Sequence, residues 1–286
     1  MISTAVKRTR NVARINETKD LNSILNAIRT NTEAGKKLKD SFQARFGKEI
    51  QDCRRIAQAG KNSCHYDFEI LVGDTWYTVE HKGSKDYKPI DPKRPPWENG
   101  VQFYNGIFDR YTLGKRYAKE WYDRYIASGY LTKKYNITAA IPSFEEWMTK
   151  DAKACGNPKT QFGLELRSRF RGDGKKGGCF DERDEMKQNF QINDEELEVI
   201  KGEVLALAQN VLSQKNYWLQ IQGEIEKDFY CAWHPECKLT NISKVEIDNS
   251  KSDLVMKFSS DIGFTINAMI RWGKGQGLSN LRCDLR

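Results

Sequence analysis

The most informative part of the sequence is residues 65–82, which read HYDFEILVGDTWYTVEHK. Its apolar and β-branched residues predict two strands, at residues 66–72 and 76–81, separated by Gly73-Asp74. Glycine accepts the positive φ of a tight hairpin turn and aspartate tolerates it, so these two residues suit a two-residue turn. Pairing outward from that turn places Asp67 directly opposite Glu80.

The charged side chains of this hairpin are predicted to converge on one face. Successive side chains alternate across a strand, so Glu80 and Lys82 point to one face and His81 to the other. Asp67 and Glu69 share the face of Glu80, because directly paired residues project together. The alternative is that this face of the hairpin is solvated and that Glu80 and Lys82 form a simple ion pair without a catalytic role.

Two adjacent carboxylates repel each other unless a cation lies between them. Mg²⁺, or Mn²⁺ in its place, is a hard ion that prefers oxygen ligands and keeps several waters. Such an ion polarises a phosphodiester and lowers the pKa of a water bound to it. Lys82 would orient the nucleophile, help to deprotonate it, or stabilise the charge that develops on the phosphate. With it, Asp67 and Glu80 have the chemistry of a metal-dependent nuclease.

The same residues resemble the motif of the PD-(D/E)XK nuclease superfamily, which has the restriction endonuclease-like fold. Asp67 matches the first acid, Glu80-His81-Lys82 matches the D/E-x-K triplet, and the small residues Gly83-Ser84 follow it. His65-Tyr66 stands where many members have proline. The resemblance covers roughly residues 30–130, and it implies an α-β-β-β-α-β core with a mixed central sheet. It also implies that Asp67, Glu80 and the backbone carbonyl of His81 bind the metal.

Many members of that superfamily add an acidic residue on the helix that precedes the hairpin. Glu33 is the candidate, because it opens a helix that ends at Phe46, and Glu49 is its rival. Helical spacing of apolar residues predicts helices through residues 19–46, with Thr32 as the N-cap of the second and Gly47 at its end.

Composition favours an intracellular protein that binds a polyanion. The 286 residues carry a net charge of +8 and a pI near 9.0, and excess Lys and Arg favours contact with the phosphates of double-stranded DNA. No run of 18 apolar residues or secretory signal is seen, so no membrane partner is expected. The seven irregularly spaced cysteines are expected to be reduced thiols. No GxxxxGK[ST] motif occurs, so no nucleotide cofactor is expected.

Basic and polar residues outside the hairpin are candidates for DNA contact. Some flank the site, others lie in the glycine-rich segment 167–178 or in the tail, and solvated loops are the alternative reading of each. They are Lys85, Lys88, Gln102, Arg167, Arg169, Arg171, Lys175, Lys176, Arg271 and Lys274. Tyr104 follows Gln102 in VQFY, which a buried strand explains equally well.

The spacing Cys231-x-x-His234-x-x-Cys237 could supply three zinc ligands. A structural zinc site needs four, and no fourth ligand is apparent. We therefore favour a loop between strands for this segment. His65 and His81, which flank the motif, are expected to have no catalytic side-chain role.

The order of elements predicts an α/β chain with helices and strands mixed along it. We expect a basic arm at residues 1–17 and a nuclease core at 18–135. Residues 136–286 would complete the fold and carry DNA-recognition elaborations, possibly within one continuous domain. In that part Ser143 and Asn193 are expected to cap helices, and the pattern beyond Tyr217 is mostly β.

Three functions fit these features. The first is a magnesium-dependent endonuclease that cuts double-stranded DNA at a specific sequence, like a type II restriction enzyme, and acts as a homodimer. The second is a repair, recombination or structure-specific nuclease of the same fold. The third is a non-catalytic DNA-binding protein in which Asp67, Glu80 and Lys82 are inert.

Overall fold

The computed structural model describes residues 18–56, 64–91, 96–99, 104–107, 111–154, 157–170, 178–248, 253–263, 265–272, 278 and 281–285. The chain forms two compact units, each built from two separate chain segments. The first unit contains Met1–Val101 and Gln209–Lys238, and the second contains Gln102–Ala208 and Leu239–Arg286. The division expected after residue 135 does not coincide with this one, and the basic arm at 1–17 lies outside the described residues.

Helices and strands are mixed along the described chain, as expected for an α/β protein. The strands are β1 (Asp52–Arg54), β2 (Phe68–Val72), β3 (Thr75–Ser84), β4 (Tyr104–Ile107), β5 (Tyr217–Glu224), β6 (Asp228–Pro235), β7 (Ile242–Asp248), β8 (Leu254–Ser260), β9 (Thr265–Trp272) and β10 (Leu281–Leu285). The helices are α1 (18–30), α2 (Glu33–Phe46), α3 (Thr112–Trp121), α4 (Tyr130–Lys134), α5 (Phe144–Trp147), α6 (Gln161–Ser168), α7 (Phe180–Asn189) and α8 (Asp194–Leu212). Among these described helices, none is long and apolar enough to cross a membrane.

The first unit contains a five-stranded mixed sheet in the order β1-β2-β3-β5-β6. Neighbouring strands are antiparallel except for β3 and β5, which are parallel. The hairpin β2–β3 has the predicted register, since Val72 pairs with Thr75 and Phe68 with Val79. Gly73 turns the chain with a φ of 61°, a left-handed conformation that costs glycine little.

One face of this sheet packs against α1 and α2. The buried residues there include Ile24, Ile28, Leu38 and Phe42 from the helices and Phe68, Ile70, Val79, Leu219 and Ile221 from the strands. The indole nitrogen of Trp233 in β6 donates a hydrogen bond of 3.0 Å to the carbonyl of Leu38. Because side chains alternate along a strand, the opposite face carries Glu80 and Lys82 of β3.

The ends of α2 are those expected from the sequence. The Thr32 hydroxyl accepts a hydrogen bond from the backbone N–H of Gly35, and Gly47 ends the helix in the left-handed conformation. These caps provide hydrogen-bond partners for terminal backbone groups that have no partner within the helix. Local sequence therefore sets the length of the helix that covers the sheet.

The second unit has its own antiparallel sheet, in the order β4-β10-β9-β8-β7. Helix α3 begins at Thr112 and is followed directly by a π-helical segment, Tyr122–Ala127. The buried rings of Trp121 and Trp272 meet with centroids 5.0 Å apart. The expected N-caps are confirmed, since Ser143 and Asn193 each accept a hydrogen bond from the N–H three residues later.

Candidate active site

Asp67 and Glu80 come together on the face of the first unit's sheet that is turned away from α1 and α2. The backbone N–H of Asp67 donates to the carbonyl of Val79 at 2.9 Å, so the regular pairing of β2 with β3 ends at Phe68 and Val79. One carboxylate oxygen of Asp67 accepts a hydrogen bond of 2.8 Å from the N–H of His81. The charge of Glu80 contributes to the raised pKa of Asp67, so the two acids lie near each other.

Two ammonium groups hold the carboxylate of Glu80. The Nζ of Lys82 lies 2.9 Å from Oε1, and the Nζ of Lys215 contacts Oε2. These side chains are largely withdrawn from solvent, with 12% of Glu80, 25% of Lys82 and 3% of Lys215 exposed. Burial weakens solvent screening, so each of these ion pairs is stronger than its equivalent on the surface.

The two carboxyl groups have opposite pKa shifts. Burial raises the pKa of Asp67 to about 6, and the nearby charge of Glu80 adds to this effect. Burial alone would also raise the pKa of Glu80, but Lys215 and Lys82 more than offset it and hold the pKa below its ordinary value. Glu80 is thus the firmly ionised member of the pair, whereas Lys215 and Lys82 lower the pKa of Asp67 less than burial raises it.

Lys215 is the site residue that the sequence did not identify. It lies between α8 and β5, and its ammonium also donates to the backbone carbonyl of His65. It is one of 47 Lys and Arg residues in the chain. Nothing in its local pattern marks it, because it reaches Glu80 only through the parallel pairing of β3 with β5.

The neighbours of Lys215 hold its backbone against the hairpin. The Gln214 side chain accepts a hydrogen bond of 3.0 Å from the N–H of His65. On the other side, the amide oxygen of Asn216 accepts from both the N–H and the hydroxyl of Thr78, at 3.0 and 2.8 Å. The position of Lys215 is therefore determined by contacts other than its own ion pair.

Glu69 shares the face of Glu80, as predicted, but has other partners. Arg54 binds one of its carboxylate oxygens at 2.6 Å, and the Tyr66 hydroxyl donates to the other at 2.9 Å. The His81 ring lies on the face of α1, where it borders a cavity of about 170 Å³. Burial there lowers the pKa of the His81 side chain to about 4.

Glu33 does not join the two acids. Its exposed side chain pairs with Lys36 at 2.8 Å in the first turn of α2, and that helix packs on the opposite face of the sheet. The rival Glu49 is also exposed and lies 3.5 Å from the side-chain nitrogen of Gln43. The part of the chain that the structure describes contains no group of three His, Cys, Asp or Glu side chains arranged to hold a metal.

The candidate DNA contacts are distributed over both units. Lys85 and Lys88 are exposed just beyond β3, and Lys88 lies 3.8 Å from Asp86. In the second unit Arg167 donates to the side chain of Asn157 and Arg169 to the carbonyl of Asn136, while Arg271 lies in β9. The remaining candidates lie outside the described residues: Gln102, Arg171, Lys175, Lys176 and Lys274.

The segment with zinc-ligand spacing is mostly strand β6, not the loop that we expected. The Cys231 sulfur lies near the carbonyl of Lys37 in α2, so it faces the helices. His234 is three residues further along the strand and pairs with Trp218 on the opposite face. Cys231 and His234 therefore point to opposite sides of the sheet and cannot share a metal ion.

Compared with models of protein families, with curated proteins and with solved structures, the chain matches none of them. What the site can do must therefore be inferred from its side chains and their geometry.

Proposed function

We propose that the chain is a metal-dependent endonuclease that hydrolyses phosphodiester bonds in double-stranded DNA. The observation that carries this proposal is the closeness of Asp67 to Glu80, whose charge helps to raise the pKa of Asp67, with the ammonium of Lys82 2.9 Å from Glu80. Two acids from neighbouring strands and one adjacent amine are the groups needed for metal-assisted cleavage of a phosphodiester.

The order of elements along the chain supports the proposal. Helices α1 and α2 precede three antiparallel strands, and α8 precedes β5, which pairs with β3 in parallel. This is the α-β-β-β-α-β sequence that the resemblance to the PD-(D/E)XK superfamily implies, although all but the last four residues of α8 belong to the second unit. We interpret Gln102–Ala208 of the second unit as an insertion between β3 and β5.

The donor set fits a hard divalent cation. Asp67 and Glu80 supply carboxylate oxygens, which Mg²⁺ prefers and Mn²⁺ also accepts. The N–H of His81 donates to Asp67, and the C=O of a strand residue points to the same strand edge as its N–H. The carbonyl of His81 is therefore directed toward Asp67, where it can serve as a third oxygen ligand.

Each protein group then has a defined task. Asp67, Glu80 and the His81 carbonyl hold the cation, which when bound polarises the scissile phosphate and favours attack by water. Lys82 orients the attacking water and stabilises the negative charge that develops on the phosphate. Glu80, in turn, positions the Lys82 ammonium through their ion pair.

The partner that fits this chemistry is duplex DNA, because a net charge of +8 favours a polyanion. We further propose that the chain recognises a short sequence and acts as a homodimer, since a two-fold dimer cuts both strands of a palindromic site. The second unit offers Arg167, Arg169 and Arg271 as candidate contacts. Discrete plasmid fragments, as opposed to a smear, would support sequence recognition.

Plasmid cleavage in Mg²⁺ tests the proposal through Lys82→Ala. We expect cleavage to fall by a factor of about 100 or more, because a group that stabilises the transition state is lost. Binding of the same DNA in a gel-shift assay should remain within a few-fold of the wild type. Lys227→Ala, which alters only an exposed pair with Glu224, is the matched control and should cut normally.

Three outcomes separate the alternative functions. Preference for nicked, flapped or branched DNA over intact duplex would select a structure-specific nuclease. Absence of cleavage by the wild type, together with tight DNA binding, would select a non-catalytic DNA-binding protein. Cleavage that survives Lys82→Ala would show that the reaction takes place elsewhere in the chain.

A further inference from the structure

The charges of the candidate site already balance without any added ion. Asp67 and Glu80 are acidic, and Lys82 and Lys215 are basic, so the four ionised side chains sum to zero. Lys82 and Lys215 both contact Glu80, one on each carboxylate oxygen. A divalent cation that binds Glu80 therefore has to compete with an ammonium group for the same oxygen.

Lys215 is the stronger competitor of the two. Its side chain is only 3% exposed, against 25% for Lys82, so its charge is poorly screened by solvent. Its ammonium also donates to the carbonyl of His65 and lies 5.3 Å from the centroid of the Trp218 ring. These contacts hold the ammonium beside Glu80 and make its displacement costly.

Lys215 is also held by backbone contacts that do not involve Glu80. The residues on either side of it, Gln214 and Asn216, are hydrogen-bonded to His65 and Thr78 of the hairpin. Loss of the ion pair would thus leave the segment in place. The lysine is a cation built into the site by its contacts with Glu80 and His65, and its charge can be changed by substitution while its surroundings remain.

We propose that Lys215 is the built-in counter-ion of Glu80 and that it sets the affinity of the site for divalent cations. The proposal rests on the metal-dependent function proposed above and assigns Lys215 a positioning role, not a catalytic one. Lys215 holds Glu80 ionised and oriented before the cation arrives, and it then weakens cation binding through repulsion. The site consequently takes up Mg²⁺ or Mn²⁺ weakly when DNA is absent, and the phosphate supplies the additional negative charge that completes the site.

Direct measurement of Mn²⁺ binding by calorimetry, in the absence of DNA, tests the role of Lys215. We expect Lys215→Met to tighten Mn²⁺ binding by about tenfold or more, because a cation within contact distance of Glu80 is removed. Lys215→Arg keeps the charge and should stay within about threefold of the wild type. Lys227→Gln, on an exposed pair with Glu224, is the matched control and should have no effect.

A second variant distinguishes a change in Mn²⁺ binding from a loss of folding. Lys215→Gln removes the charge but can still donate to the carbonyl of His65, and thermal unfolding in EDTA reports whether each variant is folded. Mn²⁺ should raise the melting temperature of Lys215→Gln more than that of the wild type, since tighter binding to the folded state stabilises it more.

The outcomes distinguish this inference from the nuclease function. Equal Mn²⁺ affinity in the wild type and in the folded Gln and Met variants would overturn the inference. Absence of Mn²⁺ binding by all of them would overturn both proposals. Tighter Mn²⁺ binding in the variants, with no DNA cleavage by the wild type in either Mg²⁺ or Mn²⁺, would support the counter-ion and reject the nuclease.

Discussion

Asp67 and Glu80 have the same chemistry but different surroundings at the scale of single residues. Glu80 is held by Lys82 and Lys215, whereas Asp67 accepts a hydrogen bond from the N–H of His81 and is otherwise compensated only at longer range. The pKa of Asp67 is accordingly raised to about 6, chiefly by burial. Because the pKa of Asp67 is raised, a bound cation would favour the ionisation of Asp67 more than that of Glu80.

The pKa of Asp67 predicts how stability changes with pH. Because this pKa is higher in the folded chain than in the unfolded chain, folding favours the protonated form, and ionisation destabilises the fold. Stability should therefore decline as pH rises from about 4 to about 6 and then stay lower. Asp67→Asn keeps an acceptor for His81 but cannot ionise, so it should gain about 2 kcal/mol over the wild type above pH 6.

Urea denaturation in EDTA between pH 4 and 8 measures this effect. The gain of Asp67→Asn should disappear near pH 4, where the wild-type carboxyl is also protonated. Asp74→Asn, at the exposed hairpin turn, is the control and should show no such pH dependence. A gain that is constant across this pH range would contradict the burial of an uncompensated Asp67 carboxylate.

At the scale of elements, the contact between α1 and α2 depends on Gly35, which has no side chain. A Cβ on Gly35 would lie 1.9 Å from the carbonyl oxygen of Ala27 in α1, and this neighbour is backbone that cannot rotate away. The two helices can therefore reach their observed packing only with glycine at this position. That packing covers the sheet face opposite the candidate site.

Gly35→Ala should destabilise the first unit by about 3 kcal/mol or more, because the helices must separate and leave their core poorly packed. Gly202 in α8 offers a matched control, since a Cβ there would meet no atom within 4 Å. Gly202→Ala should add about 0.5–1 kcal/mol of stability, the usual gain of alanine over glycine in a helix. Chemical denaturation of both variants measures the difference, and a stable Gly35→Ala variant would exclude this helix contact.

At the scale of the whole molecule, the first unit is completed by a distant part of the chain. Strand β5 lies between β3 and β6 in the sheet, yet it begins at Tyr217, long after β3 ends at Ser84. Without β5 and β6, the edge of β3 would be left unpaired and the core would lose Leu219, Ile221 and Trp233.

A fragment of residues 18–135 is therefore expected not to fold. This fragment covers the nuclease core as the sequence predicted it, but it lacks Lys215 and two of the five strands. Far-ultraviolet circular dichroism and limited proteolysis, with the full chain as reference, should show an unfolded and rapidly digested fragment. A protease-resistant fragment that cuts DNA would contradict the discontinuous unit.

The hairpin and most of the candidate site could be predicted from the sequence. The turn at Gly73-Asp74 and the alternation of side chains on each strand fix the register, so Asp67, Glu80 and Lys82 could be placed together from spacing alone. The caps at Thr32, Ser143 and Asn193 were equally predictable, because a cap depends on contacts within a few residues.

The distant residues that join that hairpin could not be predicted, because they depend on the complete fold. Lys215 meets Glu80 across 135 positions of chain, through the parallel pairing of β3 with β5, and no local pattern encodes that pairing. For the same reason Glu33 could not be excluded from sequence, since the side of the sheet on which α2 packs depends on the whole core. Periodicity specifies which face of an element is apolar, whereas the choice of its partner is a property of the complete fold.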